Sequence, residues 1–158
     1  MNLNEIRDIC LRLLSRREHS RRELTYKLLQ RGHQENEIEW VVDALAEQGL
    51  QSERRFTEQY VLNRVEKGYG SRRISHELKE KGIDRLLFEE VVRTENIDWA
   101  DALEKVYRRK YREILPKSLE ERQKRWRFLF QQRGFSSEQI EAVFDSRFNL
   151  SNKAPTDD

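Results

Sequence analysis

Arginine and lysine residues cluster at three places along the chain, and their type and spacing carry its most evident binding chemistry. The candidate binding residues are Arg16, Arg17, Arg21, Arg22, Lys27, Arg31, Arg72, Arg73, Lys79, Lys81, Arg108, Arg109, Lys110, Lys124, Arg125 and Arg127. Carried in register on helices, they would form a positive stripe for a partner with repeating negative charge, such as a nucleic-acid backbone or an acidic protein groove. The alternative is that each basic residue only balances acidic residues nearby in the same repeat.

Residues for catalysis or metal binding are not evident. His19, His33 and His76 form no pair spaced by four residues with one another or with Cys10, so no zinc site is predicted. The sequence has no discernible nucleophile–base signature and no cofactor loop. We therefore expect no enzymatic activity and no cofactor.

The stretch KGYGSRR at 67–73 combines glycines with basic residues but does not predict a nucleotide site. It follows a helical pattern rather than a strand, and it matches neither phosphate-loop pattern. Gly68 is expected to end a helix and Gly70 to ease the turn before Ser71. For Tyr69 we favour an anchor on its own unit over a base-stacking ring, and for Tyr111 we favour packing over stacking.

Three glycines divide the chain into similar segments. Gly32, Gly82 and Gly134 are 50 and 52 residues apart, and apolar residues recur at the same distances from each of them. The apolar columns are Leu24, Ile74 and Trp126; Leu28, Leu78 and Phe130; Ile38, Phe88 and Ile140; Val41, Val91 and Val143; and Val42, Val92 and Phe144. These offsets fit a helix on each side of a glycine break, and the charge of the chain alternates in sign with the same period.

One more amphipathic segment precedes each glycine-terminated helix, so each repeat holds three helices. Capping boxes at Ser20–Glu23, Ser118–Glu121 and Ser136–Gln139, with Ser71 as a further N-cap, mark helix starts. Helices are predicted at 4–17, 21–31, 36–48, 53–67, 72–81, 85–95, 99–112, 119–133 and 137–147. The predicted fold is all-α, with three tandem three-helix repeats at 1–50, 51–97 and 98–150 in an elongated, curved array, followed by a disordered tail at 151–158.

The composition favours a thin, layered helical body over a thick core. Charged residues make up 38% of the 158 residues, and the mean hydropathy is -0.97. No apolar run approaches the ~20 residues that span a bilayer. The start of the chain has no hydrophobic signal core, and the single cysteine cannot form an internal disulfide. We expect a cytoplasmic monomer without membrane association.

Several runs of the sequence resemble one known family when they are taken together. They are RREHSRRELTYKLLQRG (16–32), GLQSERRFTEQYVLNRVEKGYGSRRISHELKEKGI (49–83), ENIDWADALEKVYRRKY (95–111) and RFLFQQRGF (127–135). In combination these runs are similar to the RecX family of bacterial regulators of the recombinase RecA, over about residues 5 to 147. One departure is Ser52-Glu53, where the family often has a pair of acids before Arg-Phe. Ser52 still suits a helix cap.

The resemblance implies three tandem three-helix units and a role in DNA repair, homologous recombination and the SOS response. It implies binding in the groove of the RecA–DNA filament, with damping of filament growth, ATPase activity and strand exchange, and it carries no catalytic residue. Single- or double-stranded DNA is a further candidate ligand. Two other hypotheses stay open from the residues: a stand-alone DNA-binding module of helix-turn-helix type, and a structural adaptor for an unrelated partner.

Overall fold

The computed structural model describes residues 2–149, and within them the chain forms nine α-helices, two π-helical segments and no β-strand. The α-helices are α1 (Leu3–Arg16), α2 (Arg21–Gln30), α3 (Glu35–Glu47), α4 (Glu53–Glu66), α5 (Ser71–Glu80), α6 (Arg85–Thr94), α7 (Trp99–Tyr111), α8 (Leu119–Arg127) and α9 (Ser137–Phe144). The all-α class and the predicted helices are confirmed. The predicted tail at 151–158 lies outside the described residues.

The helices predicted at 119–133 and 137–147 are not α-helical throughout. The segment π1 (Phe128–Gln132) continues α8, and the segment π2 (Asp145–Asn149) continues α9. A π-helical turn holds one residue more than the corresponding α-helical turn. The two segments therefore change which side chains of the third repeat are buried.

Serine side chains cap the start of four helices, and the Ser52 hydroxyl accepts from the Arg55 N–H at the start of α4, as predicted. Ser20 and Ser136 form the predicted capping boxes with Glu23 and Gln139. Ser118 accepts a hydrogen bond from the Glu121 N–H at 3.1 Å, but the carboxylate of Glu121 accepts from the Lys117 N–H instead of the Ser118 N–H. The predicted third capping box is therefore only half formed.

Ser71 is the first residue of α5 rather than its N-cap, which corrects the prediction. The Ile74 N–H bonds to the Gly70 carbonyl at 3.0 Å, so Gly70 occupies the capping position. A Cβ on Gly70 would lie 2.5 Å from the backbone nitrogen of Phe135. Gly70 is thus required by a close backbone approach, and the Ser71 hydroxyl bonds to the side chain of Gln139.

Gly32, Gly82 and Gly134 occupy equivalent positions just beyond a helix end. Their φ angles are +86° at Gly32, +84° at Gly82 and +78° at Gly134, in the left-handed region that glycine enters without strain. The N–H after the glycine bonds back to Leu28 in the first repeat and to Leu78 in the second, at 3.2 and 2.9 Å. In the third repeat, Phe135 bonds back to Leu129, one residue further, because π1 holds the extra residue.

Two of these glycine ends receive the start of another helix, in an arrangement that we call a helix-end joint. In the first joint, Arg22 at the start of α2 donates to the carbonyls of Glu80 and Lys79 at the end of α5, at 3.2 and 3.4 Å. A Cβ on Gly82 would lie 3.2 Å from the Cβ of Arg22. Only glycine leaves room for this approach without displacement of the arginine.

The second helix-end joint places the start of α5 against the end of π1. Arg73 donates to the Gln132 carbonyl at 2.6 Å, and Arg72 donates to the Phe130 carbonyl at 3.2 Å. The Arg72 N–H also bonds to the Gly134 carbonyl at 2.9 Å. In both joints arginine side chains of a helix start donate to carbonyls of a helix end, and in the second joint backbone N–H groups of the helix start donate there as well.

Most of the predicted apolar columns form the core. Buried residues of the first repeat are Ile6, Ile9, Cys10, Leu24, Leu28, Ile38, Val41, Val42 and Leu45. Buried residues of the third repeat are Ala102, Leu103, Val106, Tyr107, Leu129, Phe135, Ile140, Val143, Phe144 and Phe148. In the second repeat Ile74, Leu78, Phe88 and Val91 are buried, whereas Val92 is only half-buried.

In the third repeat, the first two predicted apolar columns lie one residue too far along the chain. Trp126 and Phe130 are only half-buried, and their rings stack at a centroid distance of 4.8 Å. Arg125 and Leu129 hold the buried positions instead. The extra residue of π1 explains the shift, because it lengthens the path from the buried face of α8 to Gly134.

The packing of the described residues divides into two units. The first unit holds the residues up to Leu62 together with Glu77–Glu95, and the second holds Asn63–His76 together with the residues from Asn96 onward. The division falls inside α4 and α5. The predicted repeat boundaries after residues 50 and 97 stay predictions. None of the described helices is both long enough and apolar enough to span a bilayer.

Replacement of Leu78 by alanine tests the core. Leu78 is fully buried, so Leu78→Ala is expected to lower the free energy of unfolding by roughly 2–4 kcal/mol. Leu86 is 77% exposed on α6, so the matched change Leu86→Ala should cost less than about 0.5 kcal/mol. Urea denaturation followed by circular dichroism measures both, and equal losses would show that the core is wrongly assigned.

The close approach at Gly134 is tested by a pair of glycine substitutions. Gly49 and Gly134 both have positive φ, so alanine at either position carries a left-handed penalty of about 1 kcal/mol. At Gly134 the new Cβ would also lie 2.8 Å from the Arg73 nitrogen, whereas nothing lies within 4 Å at Gly49. Thermal unfolding should show a clearly larger loss for Gly134→Ala. Indistinguishable melting temperatures would rule out a tight joint.

Candidate basic binding site

Most basic residues of the first unit are engaged in holding the fold. Arg17 donates two hydrogen bonds to the Glu23 carboxylate, at 3.0 and 3.1 Å, and the Lys81 ammonium lies 3.3 Å from the same group. Burial by itself raises the pKa of Glu23, but bonds from Arg17 and the Ser20 N–H, with the charges of Arg17 and Lys81, hold that pKa at about 2. This ion cluster ties the start of α2 to the ends of α1 and α5.

Arg21 and Arg22 are also occupied. Arg21 forms an ion pair with Asp43 of α3, which is the balancing role that the alternative interpretation gave to the basic residues. Arg22 belongs to the first helix-end joint. Neither side chain is presented to a partner without breaking a contact of its own unit.

Lys27 lies against a buried histidine. The Lys27 ammonium is 2.9 Å from Nε2 of His19, and Nδ1 of His19 is 3.0 Å from the Arg17 carbonyl. A donating ammonium requires an unprotonated Nε2, so Nδ1 carries the proton and donates to Arg17. Burial lowers the pKa of His19, and burial followed by the charge of Arg17 lowers the pKa of Lys27. Lys27 is half-buried, and its ammonium is thus engaged by a buried side chain of the first unit.

Three predicted binding residues of the first unit keep their charge available. Arg16, Arg31 and Lys79 are exposed, and none of them forms an ion pair with another described residue. They lie at the ends of α1, α2 and α5, where cations also favour the negative end of the helix dipole.

In the second unit, several predicted residues are structural as well. Arg72 and Arg73 belong to the second helix-end joint, so a double change to glutamate would place two carboxylates against helix-end carbonyls. Arg108 pairs with Glu104 and Glu113, at 3.9 and 3.4 Å. Charge reversal at Arg72 or Arg73 would therefore disturb the second helix-end joint, whereas the exposed ion pairs of Arg108 contribute little to the stability of the fold.

Arg125 is not on the surface, which corrects its assignment to the basic stripe. It is only 4% exposed, and it donates at 2.7 Å to the Tyr107 hydroxyl and the Ile114 carbonyl and at 2.8 Å to Glu121. Its guanidinium carbon lies 4.4 Å from the ring centroid of Tyr111. Arg125 therefore acts as a buried cross-link, and Tyr111 packs on it as predicted rather than remaining open to a base.

A basic cleft remains in the second unit, and it is the candidate functional site. Its lining residues are Lys67, Gly68, Val106, Arg109, Lys110, Phe128 and Arg133, and its volume is about 210 Å³. Four of the seven are cations and none carries a carboxylate. No described residue forms an ion pair with Lys67, Arg109, Lys110 or Arg133. We call this site the Lys110 cleft.

Aromatic rings hold the cations of this region in place. The Lys110 ammonium lies 3.6 Å from the ring centroid of Phe128. Arg133 donates to the Lys67 carbonyl at 3.1 Å, and its guanidinium carbon is 5.4 Å from the same ring. These contacts are cation–π interactions, which favour the charged form and orient it. A Cβ on Gly68 would come within 3.1 Å of Arg133, so glycine makes room for this arginine.

Tyr69 lies beside the cleft and is surrounded by guanidinium groups. The ring centroid is 3.8 Å from the guanidinium carbon of Arg64, 4.4 Å from that of Arg73 and 5.3 Å from that of Arg133. This environment fits the predicted anchor on its own unit. It also extends the positive surface of the Lys110 cleft.

Lys124 and Arg127, the remaining predicted binding residues, are exposed on α8. Arg127 lines a groove of about 370 Å³ with Leu119, Arg122, Gln123, Trp126, Glu141 and Phe144. Glu141 in this groove accepts a hydrogen bond from the indole of Trp126 at 2.9 Å. The groove is mixed in charge and apolar character, so it is less selective for an anion than the Lys110 cleft.

Two members of this surface, Arg64 and Lys67, were not identified from the sequence. The available signal was the run KGYG, in which a cation and two glycines follow α4 directly. In the structure Gly68 makes room for the side chains of Val106 and Arg133, and Gly70 makes room for the backbone of Phe135. These approaches bring the end of α4 next to α7 and π1.

A metal-binding cluster is not found among the described residues, and the single cysteine is buried. No group of three His, Cys, Asp or Glu side chains within residues 2–149 is placed to hold a metal ion. Cys10 is buried, and burial raises the pKa of its thiol to about 11. A thiol in this state is neither a nucleophile nor a metal ligand near neutral pH.

Comparison with known proteins places the chain in a family. Three family models match it: "RecX, first three-helix domain" at residues 7–45, "RecX, second three-helix domain" at 52–92 and "RecX, third three-helix domain" at 97–144. The chain belongs to the RecX family. Regulatory protein RecX of Halorhodospira halophila is 42% identical over 138 residues, which are 87% of this chain and 85% of the relative. That of Pseudomonas fluorescens SBW25 is 43% identical over 142 residues, 90% and 91% of the two chains.

Solved structures support the fold of this RecX-family chain. A structure of RecX from Lactobacillus salivarius superposes with a TM-score of 0.75 at 21% identity, and it covers 94% of this chain and 97% of the other. A second structure, of regulatory protein RecX, superposes with a TM-score of 0.73 at 20% identity, and it covers 90% of this chain and 73% of the other. The three-helix repeats are therefore a property of the family.

The Glu23 cluster makes stability depend on pH. Glu23→Gln keeps an acceptor for the capping box but removes the charge, so it should cost about 1–3 kcal/mol at pH 7. The folded pKa of about 2 lies below the unfolded value of ~4.3. The stabilisation is therefore complete above about pH 5 and is lost as the pH falls toward 2.

Chemical denaturation at pH 7, 4 and 2.5 measures this dependence. The difference between wild type and Glu23→Gln should shrink at each step, while the exposed control Glu39→Gln should show no such trend. A difference of equal size at pH 7 and pH 2.5 would disprove the ionic role of Glu23.

Proposed function

We propose that this chain is a non-enzymatic regulator that binds the RecA–DNA filament and limits its extension, its ATPase activity and its strand exchange. Membership of the RecX family supports a regulatory role. The observation that carries the mode of action is the Lys110 cleft, with four cations and no carboxylate among its seven lining residues. In this proposal the chain acts as a monomer in the cytoplasm.

The composition of the cleft favours an anionic partner on electrostatic grounds. Like charges that share a small surface raise each other's free energy, and an approaching anion lowers it. A filament on DNA offers a regular series of phosphates and acidic side chains. The aromatic rings of Phe128 and Tyr69 keep the cations oriented, which lowers the conformational entropy lost on binding.

Some basic residues hold the fold and others remain without an ion pair, and this difference supports a local site rather than a continuous stripe. Arg17, Arg22 and Arg73 hold the fold, so their charge is already used. Arg109 and Lys110 form no ion pair with described residues and stand in the cleft. The proposed contact with the partner therefore centres on the Lys110 cleft, with Arg16, Arg31, Lys79, Lys124 and Arg127 as further exposed cations.

A pair of charge reversals tests the proposed function. Wild-type protein should slow RecA-catalysed ATP hydrolysis on single-stranded DNA, and Arg109→Glu with Lys110→Glu should raise the concentration for half-inhibition at least 10-fold. The control is Arg85→Glu with Arg93→Glu, two exposed positions on α6 with the same change of charge. Far-ultraviolet circular dichroism checks that all the proteins remain helical.

The outcomes separate the competing hypotheses. An ATPase rate that wild-type protein leaves unchanged would refute regulation of RecA. Inhibition that survives the Arg109 and Lys110 changes would refute the cleft as its site. Tight, salt-resistant binding to naked DNA of one sequence would favour the helix-turn-helix alternative, because a phosphate grip alone weakens steeply with salt.

A further inference from the structure

The two helix-end joints have the same chemistry, although they connect different helices. In each, an arginine in the first turn of one helix donates to carbonyls at the end of another, and the receiving helix is followed by a left-handed glycine. The first joint has an added ion pair, because Glu23 in the first turn of α2 meets Lys81 at the end of α5. A receiving end is thus recognisable by its glycine, its carbonyls and its terminal cation.

The end of α2 is a third receiving end. It has the glycine, Gly32, with a φ of +86°, and the terminal cation, Arg31, in the place that Lys81 holds after α5. Among the described residues nothing lies within 4 Å of a Cβ built on Gly32, whereas Gly82 and Gly134 are covered. Arg31 forms no ion pair or side-chain hydrogen bond within residues 2–149.

The surface beside this end is partly apolar. Tyr26 is 61% exposed and Leu29 is 45% exposed, and they are three residues apart on the same side of α2. Carbonyls at this end accept only from backbone N–H groups of the same turn, as at Leu29, which accepts from the Gly32 N–H at 3.0 Å. Neighbouring exposed apolar side chains beside such carbonyls favour a surface that a partner covers.

We propose that the end of α2, with Arg31 and Gly32 at its centre, is a docking surface for a helix start of a partner protein. Because the two internal joints share one chemistry, we assign the same chemistry to the partner. The partner's helix start carries an arginine at the second helical position, to reach the carbonyls of Leu29 and Gln30, and a glutamate at the third, to pair with Arg31. This is the pattern of Arg22 and Glu23 at the start of α2 itself.

Among the described helices, only α2, α4 and α5 have an arginine at the second helical position, and none of these three starts is available to a second copy. The start of α8 has Glu120 and Glu121 in the first turn, and carboxylates are repelled by helix-end carbonyls. The starts of α2 and α5 are used in the internal joints. Arg54 and Arg55 at the start of α4 are held by Glu58 and Glu18. The occupant is therefore a different protein.

A peptide provides the probe. A stapled helical peptide copies residues 18–30, with alanine in place of Leu24 and Leu28 to prevent aggregation, and it is titrated into the full-length ¹⁵N-labelled chain. Saturable amide shifts are expected at Arg31, Gly32 and His33. A second peptide that also carries Arg22→Gln should bind at least 10-fold more weakly, because the guanidinium that reaches the carbonyls is gone.

Two variants of the chain complete the test. Gly32→Asn fills the space that the peptide's arginine needs, and asparagine tolerates the left-handed backbone. The Gly32→Asn variant should therefore show none of the amide shifts that the peptide causes in the wild-type chain. Gly49→Asn is the matched control, because Gly49 also follows a helix with positive φ and with nothing within 4 Å, and it should leave binding unchanged.

Three results would overturn the inference: no saturable shifts at residues 31–33, equal affinity of the two peptides, or shifts that persist in Gly32→Asn. Self-association of the chain in analytical ultracentrifugation that Gly32→Asn abolishes would also overturn it and would assign the surface to a second copy. The experiment contains neither RecA nor nucleic acid, so its failure is separate from failure of the proposed function.

Discussion

The helix-end joint is the interaction on which the rest of the structure depends. A helix leaves N–H groups open at its start and carbonyls open at its end, and a three-helix repeat is too small to bury all of them against itself. Here the start of α2 meets the end of α5, and the start of α5 meets the end of π1. Glycine at the receiving end allows the approach, and arginine supplies donors with enough reach to bond the carbonyls. Helix α5 takes part in both joints, as receiver at one end and donor at the other.

This use of arginine decides which charges remain for function. A basic residue in the first turn of a helix opposes the helix dipole, so its presence there needs a compensating contact. Arg22, Arg72 and Arg73 find it in carbonyls of other helices. Arg17 lies just beyond the end of α1, and its charge is engaged by Glu23. The second unit is left with Arg109 and Lys110 at the end of α7, where cations suit the dipole and where no described carboxylate neutralises them. The proposed binding site thus consists of basic residues that are not needed to hold the fold.

The third repeat departs from the other two through a single inserted residue. The π1 segment lengthens the path to Gly134, turns Arg125 and Leu129 into the core, and leaves Trp126 stacked on Phe130 at the half-buried edge. Burial of an arginine is tolerated because Tyr107, Ile114 and Glu121 accept from its guanidinium while Tyr111 covers its face. The same insertion places Phe128 beside Lys110, so a local change in helix winding contributes to the wall of the Lys110 cleft.

The sequence by itself determined the all-α class, the nine helices and the equivalence of Gly32, Gly82 and Gly134, because helical periodicity, capping residues and glycine breaks are local signals. It also placed Arg109 and Lys110 among the candidate binding residues, and the structure places both in the lining of the Lys110 cleft. It could not distinguish Arg125 from Arg127, since the π-helical insertion that buries one and exposes the other has no local signature. Nor could it separate arginines that bond helix ends from those that remain open, or bring Lys67 next to Arg133. Those outcomes depend on which helices meet, and only the tertiary structure sets the distances between residues that lie more than 60 positions apart.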